Sequence, residues 1–83
     1  ESNNQEPKPE IDFSSGEHMA IVVSDIVYHV IDGDTYAYVI DDTETAYKIK
    51  VGDNEEIIFT KPGDELSIIS MPADNNIHNA TLE

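Results

Sequence analysis

The sequence has no cysteine and no arginine. The first absence excludes a disulfide framework and any thiolate metal site. The second removes the planar guanidinium fork on which many anion and transition-state clamps rely. Basic residues are scarce altogether. Lys8, Lys48, Lys50 and Lys61 stand against 18 Asp and Glu, a formal net charge of −14. A surface that grips phosphates needs clustered Lys and Arg, so direct nucleic-acid binding is not expected. No apolar run approaches the roughly 18 residues of a membrane-spanning helix, and no segment carries a helical period. A chain of 83 residues holds one domain at most, with a core that is marginal without a staple.

What is present is a succession of short β-type segments between Met19 and Met71. Residues 19–31 are apolar and β-branched. Their inward parity changes from Ile21 and Val23 to Ile26, Tyr28 and Val30, which predicts a β-bulge near Ser24-Asp25. Asp32-Gly33 reads as a tight hairpin turn, because glycine accepts positive φ. Residues 35–40 follow, with Tyr36, Tyr38 and Ile40 on one face and Ala37 and Val39 on the other. Residues 41–44 form a second turn. Residues 45–51 alternate, Tyr47, Ile49 and Val51 opposing Lys48 and Lys50. The pattern then predicts a fourth strand over 55–60, a Pro62-Gly63 turn and a fifth strand over 65–70. The expected fold is all-β, a small five-stranded barrel of the SH3-like or OB-like meander type spanning residues 17–72.

Residues 1–16 are polar, carry Pro7 and Pro9, and bury too little surface to offset ordering entropy. They read as a disordered leader or tether. Residues 73–83 read as a loose C-terminal tail, with Ile77 able to pack back on the barrel. A chain opening on Glu1 rather than Met is expected to be a processed product. In composition the leader resembles the segment after the lipid-modified cysteine of Gram-positive lipoproteins. That resemblance implies an extracytoplasmic protein whose only link to a membrane is a lost N-terminal anchor.

Three constellations bear on chemistry. His18, His29 and His78 are far apart in sequence and show no zinc-ligand spacing. Ser24, Ser67 and Ser70 lie in ordinary strand context. Tyr28, Tyr36, Tyr38 and Tyr47 fall on neighbouring strands and form a binding platform if all face one way. Ringed by acid, such a platform suits a cationic peptide or protein. The run Val30-Ile31-Asp32-Gly33-Asp34-Thr35 resembles the hairpin of the staphylococcal-nuclease-like OB domain. The resemblance covers about residues 30–56. It implies weak calcium binding by Asp34 and Asp53, with Glu56 at the family's general base. Lys48 stands where the family has its catalytic arginine, so the resemblance implies a degenerate domain without nuclease activity.

The reading that follows is a non-enzymatic, lipoprotein-type, extracytoplasmic protein-interaction module, without a cofactor beyond weak calcium. A DNA-mimic inhibitor of a DNA-binding enzyme, which would be cytoplasmic, is the alternative that the acidity allows. The degenerate nuclease-like OB domain is the second alternative. The turn assignment makes the first prediction. Gly33→Val should destabilise the fold by roughly 1–3 kcal/mol through strain at positive φ. An unchanged urea midpoint would place the turn elsewhere.

Overall fold

The computed structural model describes residues 12–71 and 76–83. Within them run β1 (Glu17–Ile31), β2 (Asp34–Asp41), β3 (Ala46–Lys50), β4 (Glu65–Ser70) and β5 (Ile77–Leu82). The described residues also contain the 3-10 turns η1 (Phe13–Ser15), η2 (Val51–Asp53) and η3 (Glu55–Phe59). The strands close into one barrel in the order β1-β2-β3-β5-β4. The chain is an all-β small barrel, but its connectivity is not that of a meander. A meander would seat β4 beside β3. Here β5 lies between them, parallel to β3 and antiparallel to β4. That crossover gives a closed barrel in which β5 separates β3 from β4.

β1 is the spine. Glu17 to Val22 pair with β4 and Asp25 to Ile31 pair with β2. The register to β2 shifts between Val23 and Asp25, so the bulge expected from the parity change is present. It lets Ile21 and Val23, and then Ile26, face the interior from one strand. The Asp25 carboxylate accepts the Ile26 N–H at 2.8 Å and supplies that amide with a partner next to the irregularity. Asp32 (φ 52°) and Gly33 (φ 85°) form the two-residue turn into β2. Positive φ at both positions matches the twist of the flanking strands.

The core consists of Ile21, Val23, Ala37, Val39, Tyr47, Ile49, Ile57, Ile68 and Ala80. Small or β-branched side chains fill most of it, and β2 turns Ala37 and Val39 inward while Tyr36 and Tyr38 face out. Each fully buried isoleucine or valine contributes on the order of 1.5–3 kcal/mol.

Two expectations fail. Residues 55–59 are 3-10 helix rather than strand. Ile57 and Phe59 look in phase, but only Ile57 is buried, where it joins the core while Ile58 and Phe59 face solvent. The place beside β3 that this segment would have filled is taken by β5, so it has no strand to pair with. The tail reading also fails from residue 77 onward, and the barrel runs from Glu17 to Leu82. β5 directs His78 and Ala80 inward opposite Tyr47 and Ile49, so its apolar signal is one small residue and a flanking leucine. The leader reading falls mostly on residues 1–11, outside those described, as do residues 73–75 of the tail. Residues 13–15 form η1, with Asp12 accepting the Ser14 N–H at 3.0 Å.

Asn54 joins η2 and η3 to the closing strand. It is buried, donates from Nδ2 to the Lys50 carbonyl at 2.9 Å, and accepts at Oδ1 from the Thr81 hydroxyl (2.9 Å) and the Leu82 N–H (3.0 Å). Asn54→Ala should therefore cost about 1–3 kcal/mol, because it leaves part-buried polar groups on two elements without their partner. Urea denaturation checks the size, and hydrogen exchange should show β5 loosening before β1. A loss under about 0.5 kcal/mol would mean that water replaces the amide without penalty.

Candidate functional site

The four tyrosines do not form one platform. Tyr36 and Tyr38 lie on the outer face of β2, half-buried. Tyr38 meets the His29 ring edge-on, with centroids 5.1 Å apart and planes at 87°. Lys48 Nζ sits 4.5 Å above the Tyr36 centroid, a cation–π contact that covers one ring face. Tyr28 has the opposite parity on the β1–β2 hairpin, and its hydroxyl donates to the Ile57 carbonyl at 3.3 Å. Tyr47 is buried in the barrel. Strand alternation separates them, because Tyr36 and Tyr38 share a phase that Ala37 and Val39 oppose.

Asp34 opens β2, and its Oδ2 lies 4.0 Å from Lys50 Nζ. Asp53 ends η2. No group of three or more His, Asp or Glu placed to hold a metal ion occurs among the described residues. Lys48, at the position of the nuclease-like arginine, stands over Tyr36, and Glu56 lies in the first turn of η3.

A cleft of about 250 Å³ is lined by Ser15, Glu17, Met19, Tyr47, Ser70, Met71 and His78. The His78 ring lies 5.5 Å from that of Tyr47, centroid to centroid, and its Nδ1–H donates to the Met71 carbonyl at 3.0 Å. Behind the cleft is the buried carboxylate Asp41. Burial opposes its ionisation. The Thr43 hydroxyl at 2.7 Å, the Thr45 and Thr43 amides at 2.9 Å each and the Tyr47 hydroxyl at 3.2 Å outweigh that, holding Asp41 below the ordinary carboxylate range. Burial, followed by the Asp41 charge, pushes the Tyr47 phenol up to about 12. This pair ties the β2–β3 turn to the core.

The feature that stands out on the surface is apolar. Val30 is 70% exposed, Phe59 79%, Ile58 55% and Tyr28 42%. Tyr28 and Val30 share one face of the hairpin, and the Tyr28 hydroxyl bond to Ile57 brings η3 alongside them. Two parts of the chain far apart in sequence, joined by that hydrogen bond, thus both expose aromatic and aliphatic groups. The acids Asp32, Asp53, Glu55 and Glu56 lie in the same stretches of chain, in the hairpin turn, η2 and η3. Sequence reasoning singled out Tyr28 here but missed Val30, Ile58 and Phe59. The signal was three large apolar residues in a row at 57–59, which a barrel strand with one solvated face would not carry.

Comparison with family models, with curated proteins and with solved structures finds no match to this chain.

The Asp41–Tyr47 pair adds an acid and an alkaline limb to the pH dependence of stability. Asp41 has its pKa lowered on folding, so its contribution is present above the unfolded value of about 3.9 and is lost as pH falls through the folded one. Tyr47 has its pKa raised, so its contribution is complete below about 10 and is lost as pH rises toward about 12. Tyr47→Phe should lower stability at neutral pH by about 1 kcal/mol, start acid unfolding at a higher pH and remove the alkaline loss. Urea midpoints measured from pH 2 to 11 check all three, and an unaltered acid limb would mean that the phenol does not support the carboxylate.

Proposed function

We propose that this chain is a non-enzymatic protein-binding module held outside the cytoplasm, and that it grips a cationic partner through the Tyr28–Val30–Ile58–Phe59 patch. The observation that carries the proposal is the exposure of Tyr28, Val30, Ile58 and Phe59, with the Tyr28 hydroxyl bonded to η3 next to the last two. A contiguous group of exposed large apolar side chains rimmed by charge is the usual mark of a protein contact, and aromatic anchors supply most of the affinity in such contacts. The acids of the hairpin turn, η2 and η3, within a net charge of −14, select a basic partner and speed its approach. The extracytoplasmic part rests on the polar, proline-bearing leader.

A photoreactive residue in place of Phe59, compared with one in place of the exposed Ser67 on β4, tests the proposal in cells that make the protein. The expected result is one cross-linked partner from position 59, basic in its contact region, and no such product from position 67. Identical products from both positions would remove the patch as the site. Intact mass and cell fractionation test the compartment, where a lipid-modified N-terminus in the membrane fraction is expected. An unmodified cytosolic protein cross-linked to a DNA-binding enzyme would instead favour the DNA-mimic reading.

A further inference from the structure

The barrel is closed, yet one strand keeps an open flank. On its β4 side, β1 is paired from Glu17 to Val22, and Val23 completes that flank. The Val23 N–H donates to the Asp64 carbonyl and its carbonyl accepts the Gly63 N–H, both at 2.8 Å. Beyond Val23 the chain turns through the bulge, and from Asp25 to Ile31 its only strand partner among the described residues is β2. In an antiparallel ladder, pairs that exchange hydrogen bonds alternate with pairs that do not. A two-residue turn makes Ile31 and Asp34 an exchanging pair, and so His29–Tyr36 and Val27–Tyr38 exchange as well. Tyr28 and Val30 fall on the other phase and direct their N–H and C=O groups away from β2. The Ile26 N–H, on that same phase, takes the Asp25 side chain.

This leaves a short edge bearing the amides and carbonyls of Tyr28 and Val30 and the carbonyl of Ile26. Residues 27–31 are all exposed. The edge runs beside the apolar patch, because Tyr28 and Val30 supply both. An open edge with polar main chain and a flanking apolar face is the template that an extended peptide extends by strand addition.

We infer that the partner binds as an added β-strand along the Ile26–Val30 edge of β1, through a segment that alternates aliphatic and basic residues. This rests on the protein-binding reading above and specifies how the partner is held. Aliphatic residues of the guest lie on the face shared with Tyr28 and Val30. Basic residues alternate to the other face, where Asp25 stands on β1 and Glu65 follows on β4 opposite Val22, with Asp32 at the turn. A second copy of this chain is a poor guest, since two bodies of charge −14 repel. Residues 1–11 are also poorly suited, since Glu1, Glu6 and Glu10 outnumber Lys8, and Pro7 and Pro9 lack the N–H a ladder needs.

The test is amide hydrogen exchange of the full chain, alone and with a synthetic peptide of about eight alternating lysine and valine residues, a common strand length. The expected result is that exchange at Tyr28 and Val30 slows by about tenfold or more, with Val27 and His29 little changed because β2 already holds them. The same peptide N-methylated at every second residue should give no protection in the register that faces β1. Val30→Pro, which removes an outward N–H and no ladder bond to β2, should weaken binding more than Val30→Ala does. If Ile58 and Phe59 resonances shift while exchange at Tyr28 and Val30 stays fast, strand addition is overturned and the protein-binding reading survives. If nothing shifts, both fall. Protection at Tyr28 and Val30 in the free protein that rises with its own concentration would overturn the cationic guest in favour of self-pairing.

Discussion

Everything in this barrel depends on β1 serving two partners with one strand. Its first half must face β4 and its second half β2, and the core needs inward side chains from both. A strand of unbroken alternation would carry Ile26 to the outside after presenting Ile21 and Val23 to the inside. The extra residue at Ser24-Asp25 resets the phase. It also bends the strand, which allows so few strands to close without a strained corner. The Asp25 side chain satisfies the amide nearest the irregularity, so the bend leaves that group with a partner.

With this little interior, polar anchors matter as much as apolar ones. Among the described residues the core is nine side chains, two of them alanine. Asp41 is the buried acid among the described residues, and it gathers four donors from its own turn and from Tyr47. Asn54 does for the η2–η3 crossing what Asp41 does for the β2–β3 turn, fastening an irregular segment to a strand. Both act where the chain leaves regular pairing and would otherwise strand buried polar groups.

Legibility followed the strength of local chemistry. The Asp32-Gly33 turn, the bulge and the first three strands are readable because positive φ, parity and alternation are properties of neighbouring residues. The fourth segment was misread because its fate is decided elsewhere. Whether residues 55–59 form a strand or a 3-10 turn depends on whether the flank of β3 is vacant, and β5 fills it. β5 was misread for the converse reason. Opposite Tyr47 and Ile49 there is room only for His78 and Ala80, so its inward face is small and polar and resembles a tail. The tyrosines show the same limit. Their strands were right, but a platform depends on phase between strands. Phase sets Tyr36 and Tyr38 against Tyr28 and Tyr47, and only Tyr28 lies in the surface patch. The remainder of that patch came from η3, whose exposure followed from the fold and not from its own residues.

The parallel pairing of β3 with β5 has a consequence for how the molecule comes into being. β5 is the last barrel strand in chain order, and it alone joins the β3 side to the β4 side. During synthesis the β1–β2–β3 sheet can form early from neighbouring segments. It must then wait, with the flank of β3 unpaired, until Leu82 has left the ribosome. Contacts that span so much of the chain are slow to close, and exposed strand flanks invite other chains meanwhile. The nascent protein is thus briefly adhesive along a flank that the finished one conceals, and the interval is set by the rate of translation.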